Sequence, residues 1–365
     1  MDNYIYLAAK LERFSMDGLC VKGWCRENLL FILSAIFTAA VALSFTPMYI
    51  WLPISTVIVV LLWTLTTHRW YAAVFLLGLL HFSPLPQNRE AFTAENYFLE
   101  IRKICGQGID RAFASEEISQ ERGIIKALFY CERGELSLEV KNAFRQSGMM
   151  HLLALSGMHL GIIYMLVGFL LKPLGNYPIC IKIRSLTIIT VLWFYTLFAG
   201  CGISLSRAMI MITIYECGKL MGRSTTGLNA LGASSVIILC CNPSAVTSLS
   251  FILSFGAMLG IFTIFPSISK IISPKVPIIK RIWSLTCINI SCTAITLPIT
   301  LFEFGTYSNY SMLLNLLCTP LATIVVALIP LWELSQLLLP CASEIAGKVI
   351  IIFIRLILKI IGIVT

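Results

Sequence analysis

The residues that could do chemistry gather in the middle of the chain. His151, Ser156 and His159 fall close together in one apolar stretch, and Ser204 and Arg207 fall in a second. Ser254 and Asn315 add polar groups to two more. An ionisable side chain inside a spanning helix costs roughly 2.5–3.5 kcal/mol on insertion scales for Arg at the helix centre, so its default reading is functional. If 149–171 is one helix, His151 and His159 lie on an i, i+4, i+8 row and face one way. Ser156, three residues before His159, is then its neighbour on the helix surface. Three chemistries are open to such a set. The groups could line a path for a polar substrate, glue helices together, or form a Ser–His nucleophile pair. The last needs a base within about 2.6–3.2 Å and a third group to orient it, and no carboxylate lies nearby in the sequence.

The elements that must position these residues are set by composition. The chain has 365 residues, of which 58% are hydrophobic and 12% charged, and its mean hydropathy is +0.87. Ordinary soluble domains are about 45–50% apolar and roughly 25% charged, so lipid must be the solvent for most of this chain. With about 20 apolar residues needed per crossing, candidate spans are 29–47, 50–67, 70–82, 149–171, 185–201, 204–221, 228–242, 246–265, 282–302, 311–331 and 344–364. The expectation is an all-α, polytopic integral membrane helix bundle of about eleven spans. Residues 1–28 form a polar cytoplasmic segment that carries Lys10, Arg13, Lys22 and Arg26 ahead of the first apolar run, which does not fit a cleavable signal peptide. Residues 29–82 hold the first helices, 83–148 an extracytoplasmic amphipathic segment, 149–331 a channel module, and 332–365 a terminal membrane helix. Thr93 is a plausible N-cap in the polar segment, where Tyr97, Ile101, Ile104, Cys105, Ile109 and Ala112 recur at helical spacing. That pattern fits a helix on the membrane face or one in the core of a small soluble domain. Cys105 and Cys131 share this segment and could be a disulfide or two free thiols.

Basic loops mark the cytoplasm. Lys172, Lys182 and Arg184 follow the fourth span, Lys219 and Arg223 the sixth, and Lys270, Lys275, Lys280 and Arg281 the eighth, while the intervening turns lack Lys and Arg. The alternation puts the N-terminus inside and 83–148 outside, and it accounts for the net charge of +9 without a nucleic acid. Spans four, six, eight and ten then run outside to inside. His151, Ser156, His159, Ser204, Arg207, Ser254 and Asn315 all fall in the outer half, together with Asn242 at the end of span seven. Gly157 and Gly161 on span four and Gly256 and Gly260 on span eight have the spacing that lets helix backbones approach closely, as do Gly218 and Gly222 on span six. Trp193, Phe194, Tyr195 and Phe198 could stack bases or face lipid. Pro298 and Pro320 could break helices, as in transporters of small solutes.

The run Gly148-Met-Met-His-Leu-Leu-Ala-Leu-Ser-Gly-Met-His159 closely resembles the Gly-x-x-His-Leu-Leu-Ala-x-Ser-Gly-x-His signature of the ComEC competence family. Ser204-Leu-Ser-Arg207-Ala208 with Met211, Gly222-Arg223, Asn242-Pro243, Phe251-Ile-Leu-Ser-Phe255 and Asn315-Leu-Leu-Cys-Thr-Pro320 follow in that family's order. Ile203 replaces an expected Pro, Ile252 an expected Gln, and Cys131 a Gly before Glu132-Arg133. The resemblance implies a channel in the cytoplasmic (inner) membrane that takes up single-stranded DNA during natural transformation. It implies a DNA receptor and a cytosolic DNA-translocating ATPase as partners, with a homo-oligomer also open. No cofactor, metal or catalytic residue is expected. Full-length members add an OB-like and a metallo-β-lactamase-like domain. Here only residues 83–147 stand in the place of the first, and no His-rich motif marks the second. A secondary transporter of a small polar solute and a non-transporting scaffold remain alternatives. If 83–148 is extracytoplasmic, a Ser115→Cys variant labels with an impermeant thiol reagent in whole cells. Labelling only after lysis would invert the topology.

Overall fold

The computed structural model describes residues 28–44 and, with short breaks, 93–362. Among the described residues every regular element is a helix. In chain order these are α1 (Leu29–Ser44), α2 (Thr93–Ala112), α3 (Ser119–Tyr130), α4 (Leu138–Gln146), α5 (Gly157–Leu170), α6 (Pro178–Phe198), α7 (Ile203–Leu220), α8 (Gly227–Cys241), α9 (Leu249–Thr263), α10 (Phe265–Ile268), α11 (Pro277–Phe304), α12 (Ser311–Leu338) and α13 (Pro340–Gly362). Five stretches are long and apolar enough to cross a membrane: Gly157–Leu174, Pro178–Phe198, Leu249–Ile268, Pro277–Phe304 and Ser311–Gln336. This is a polytopic helical membrane protein, but the described helices do not reach the expected eleven spans. α1 and α8 are apolar but shorter. α7 is interrupted by Arg207, Glu216 and Lys219 and α13 by Glu344, Lys348, Arg355 and Lys359, and the spans expected at 50–67 and 70–82 lie outside the described residues.

The helices divide into two compact units. In one, α1 packs on α8 through a seam of small polar groups. A Cβ on Gly232 would run into Ser34 and the Phe31 backbone, so the helices can touch only because that position is bare. Thr38 donates to Ser235 at 3.3 Å, and the Phe31 amide donates to Asn229 Oδ1 at 3.2 Å. Asn242, expected near the polar cluster, caps α8 in this unit and accepts from Ser244 at 2.6 Å.

The second unit holds α2–α7 and α9–α13. α7 packs against α5, α6 and α9, while α11 packs on α9 and α12. Gly256 and Gly260 set the α9–α11 contact. A Cβ on Gly256 would lie 3.2 Å from Ile295 Cγ2, and one on Gly260 would strike the Ser291 carbonyl. Gly157 does the same for α5 and α7, with Ala208 Cβ 3.2 Å from its would-be Cβ. Gly161 has open space around it instead, with no heavy atom within 4 Å of a Cβ built there. Pro298 and Pro320 sit inside continuous helices and break neither.

The 93–146 segment is not a lone surface helix. It contains three helices, and α3 is buried along most of its length. Its charges are answered inside the protein. Lys126 lies between Asp110 at 2.6 Å and Glu135 at 2.5 Å, and Glu121 takes a 2.6 Å bond from Arg355 of α13. Burial alone would lower the Lys126 pKa, but the two carboxylates outweigh it and the net shift is upward. A raised lysine pKa gives stability that is complete below about pH 10.5 and is lost only as pH rises further. Tyr130 donates to Glu333 of α12 and lies edge-on to Phe198 of α6, with ring centroids 5.7 Å apart. Burial first, then the Glu333 carboxylate, pushes that phenol's pKa upward. Tyr195 is likewise buried, and its hydroxyl donates to the Phe129 carbonyl at 3.3 Å. Two of the four candidate stacking aromatics are therefore core residues, while Phe194 stays exposed. Cys105 and Cys131 are free thiols.

Tyr130 also corrects the expected direction of α12. It ties Glu333 to the end of the bundle where α6 finishes and α7 begins, whereas the alternating topology put those ends on opposite faces. No Lys or Arg occurs from 303 to 343, so loop charge carries no information on this helix. The expected boundary at 331/332 falls inside α12. α13 then lies along α12 with Ile350, Ile354, Ile357 and Ile361 buried. The packing predicts that Gly260→Leu and Gly256→Leu lower the unfolding temperature in detergent, by about 1–3 kcal/mol or more of overpacking, while Gly161→Leu leaves it unchanged. Equal tolerance at all three would remove the close α9–α11 contact.

Candidate functional site

The motif around His151 and His159 is a helix break followed by a helix start. α4 ends at Gln146 and Gly148 takes φ +73°, a conformation that glycine adopts without steric cost. Its amide donates to the Arg145 carbonyl and the Met149 amide to that of Phe144. A Cβ on Gly148 would also stand 2.9 Å from Ser311 Cβ, so both strain and space require glycine. His151 Nδ1 lies 3.1 Å from the Gly148 carbonyl. The chain then turns, and α5 begins only at Gly157. His151 and His159 therefore do not share a helical row, which corrects the span expected from 149.

Ser156 is the N-cap of α5, and His159 completes a capping box. The Ser156 hydroxyl accepts from the Met158 amide at 3.3 Å, and the Ser156 amide donates to His159 Nδ1 at 3.2 Å. Accepting that amide proton leaves Nδ1 bare, so the neutral ring carries its proton on Nε2. His159 is 0% exposed, and its Nε2 has no partner among the described residues. Asn315 Oδ1 is buried and unpartnered in the same way. The Asn315 side chain adjoins His151, whose ring is exposed.

Arg207 lies on α7 and is 5% exposed. Nε donates to Ser254 Oγ of α9 at 2.8 Å, and Ser254 Oγ donates to Ser204 Oγ of α7 at 3.0 Å. Nη1 approaches Met211 Sδ at 3.5 Å, and Cζ is 5.8 Å from the Phe255 ring centroid. Nη2 faces α5, where a Cβ on Gly157 would be only 3.2 Å from it. No carboxylate pairs with Arg207 among the described residues. The first turn of α5, the start of α7 and the second turn of α9 contribute to this cluster, and helix N-termini present partial positive charge. The arrangement is a cationic, hydroxyl-lined site suited to an anion that can come and go. The structure thus brings Ser204, Arg207 and Ser254 into direct contact and sets the Ser156–His159 turn beside them through Gly157. It groups His151 with Asn315.

The sequence reading missed Glu216, which is 0% exposed on the last turns of α7. Tyr164 of α5 donates to its Oε1 at 2.7 Å and Ser185 of α6 to its Oε2 at 2.5 Å. The signal was present: an acidic residue within an apolar run. Among the described residues no three His, Cys, Asp or Glu side chains converge as a metal site requires.

Removing the imidazole separates capping from any other role. His159→Gln keeps an N3 side chain that can accept from the N-cap amide and should unfold close to the parent temperature. His159→Leu strands that amide and should lose about 1 kcal/mol. Thermal unfolding in detergent that showed equal loss for both would remove the capping role.

Known proteins place the chain. Over 203 residues it is 29% identical to ComE operon protein 3 of Bacillus subtilis (strain 168), covering 55% of this chain and 25% of that protein. Over 229 residues it is 26% identical to Recombination protein 2 of Haemophilus influenzae, covering 58% and 28%. Over 206 residues it is 26% identical to the uncharacterized protein YcaI of Escherichia coli (strain K12), covering 55% and 27%. The matched region thus spans about a quarter of the length of these relatives. No solved structure matches the chain significantly. The family model described as "Competence protein" matches residues 128–365, from the end of α3 through the Arg207 cluster to the last helix, and the chain belongs to that family.

Proposed function

We propose that this chain forms the membrane-embedded part of a DNA-uptake machine, a passage for a single DNA strand across the bacterial cytoplasmic membrane during transformation. Arg207 carries this reading. It is a buried permanent cation, answered among the described residues by one hydroxyl, itself bonded to a second, a thioether and a ring face rather than by a carboxylate. A passing phosphate supplies the missing charge. Binding must be firm enough to admit the strand and weak enough to release it. One guanidinium backed by helix N-termini meets both needs, because neutralising a single phosphate adds only about −0.7 to the salt slope of single-strand binding. The family membership supports the same reading.

In this reading the N-terminus is cytoplasmic, and the α2–α4 segment lies outside with the Arg207 end of α7. Lys172, Arg184 and Lys219 mark the inner end, following the positive-inside rule. A DNA receptor outside and a strand-pulling ATPase inside are the partners such a passage requires. The reading assigns no catalytic step. The Ser156 hydroxyl and His159 Nδ1 are engaged in capping α5, and among the described residues no carboxylate orients the imidazole. A solute transporter built on broken helices finds less support, since α11 and α12 run unbroken through Pro298 and Pro320.

Uptake of labelled DNA by cells carrying Arg207 variants tests the proposal. Arg207→Lys keeps the charge without the fork geometry and retains part of the uptake. Arg207→Gln lowers uptake by tenfold or more, the loss of a charge-assisted contact of about 1.5–3 kcal/mol, at an unchanged membrane level. Normal uptake with normal protein level in the Gln variant would sink the phosphate contact.

A further inference from the structure

At the opposite end of α7 from Arg207, a cavity of about 370 Å³ opens between α5, α6 and α7. It is lined by Lys172 just after α5, by Arg184 within α6 and Lys219 within α7, and by Tyr164, Met165, Gly168, Phe169 and Ile188. The carboxylate beneath it is already engaged. Glu216 accepts from Tyr164 and Ser185, and Lys219 Nζ stands 3.6 Å from its Oε2. Among the described residues neither Lys172 nor Arg184 pairs with any carboxylate. Three cations set against one carboxylate leave two positive charges around the opening.

The apolar part of the lining separates this cavity from a water-filled path. Met165 is 63% and Phe169 70% exposed, on an apolar helix long enough to span the membrane. Surface of that kind meets acyl chains. A phosphate-bearing head on the cations and a hydrocarbon tail along Met165 and Phe169 satisfy the whole lining at once, which a nucleic acid strand, lacking an alkyl chain, does not. Basic pockets between spanning helices on the cytoplasmic side are suited to anionic head groups.

We infer that the cavity bounded by Lys172, Arg184 and Lys219 binds an anionic phospholipid, its phosphate between the cations and its chain over Met165 and Phe169. The lipid braces α5 against α6 and α7 at the end where Glu216 joins them. This assignment does not depend on what passes at Arg207.

The full chain, purified in a neutral detergent, is titrated with phosphatidylglycerol, with phosphatidylcholine, with inorganic phosphate and with an oligothymidylate, and binding is read from thermal unfolding and native mass spectrometry. Phosphatidylglycerol should raise the unfolding temperature and stay bound, phosphatidylcholine should not, and any response to inorganic phosphate or the oligothymidylate should be the same in the parent and in Lys172→Gln/Arg184→Gln. In Lys172→Gln/Arg184→Gln the affinity for phosphatidylglycerol should fall roughly 10- to 30-fold, from about 1 kcal/mol per charge, with the lipid-free unfolding temperature unchanged. Should the double variant fold poorly, Lys172→Gln alone, at an exposed position, gives several-fold weakening. Equal stabilisation by phosphatidylcholine, or undiminished affinity in the variants, overturns the site. Stabilisation by inorganic phosphate that disappears in the double variant, with none by phosphatidylglycerol, makes it a free-anion site, and the same pattern with the oligothymidylate assigns the cavity to the strand. Either result overturns the lipid proposal.

Discussion

A guanidinium taken out of water costs several kcal/mol unless an opposite charge and hydrogen bonds answer it. Arg207 is buried at the junction of α5, α7 and α9 with only the hydrogen bonds. The surrounding features follow from the need to hold that side chain in place. Ser254 fixes Nε from α9, Ser204 fixes Ser254, and Phe255 offers a ring face to the cation. Gly157 is bare because Nη2 occupies the space where a side chain would be. Ser156 and His159 then start α5 at the register that brings Gly157 there.

α7 carries its two buried charges against its own dipole. A helix favours anions near its first turn and cations near its last, each worth typically 0.3–1 kcal/mol. Here Arg207 lies near the start and Glu216 near the end. The two are treated differently by the fold. Glu216 receives two hydroxyl donors and a lysine within 3.6 Å, so its charge is balanced internally. Arg207 is left to neutral partners. In the proposed function, the charge left open is the one that meets the strand's phosphate.

Much of this was legible in the sequence, and the gaps have physical causes. Apolar composition and run lengths gave the membrane class, and the helices at α6, α7, α9, α11 and α12 fall near their expected places. The start of α5 was misplaced because Met149 to Leu155 is apolar enough to pass for helix, hiding a turn that Gly148 and Ser156 bracket. The capping box was missed because its N3 residue is His rather than Glu or Gln. α3 was missed because its buried charges, Glu121 and Lys126, read as surface until their partners Arg355, Asp110 and Glu135 are brought to them by the fold. Ser254 meets Arg207 across 47 positions of sequence, a contact that no local pattern encodes. The direction of α12 was hidden by a stretch with no basic residue to mark either face.

The account holds that Arg207 is retained for a ligand at the expense of the empty protein's stability. Thermal unfolding of Arg207→Met in detergent, with no nucleic acid present, tests this most directly. Met fills a similar volume without the charge and suits the neighbouring Met211 and Phe255. The account predicts a higher unfolding temperature than the parent, since replacing a buried, unanswered ion with an apolar side chain is commonly stabilising by about 1–4 kcal/mol. A clear fall in unfolding temperature would show that Arg207 anchors the bundle by itself and would contradict the account.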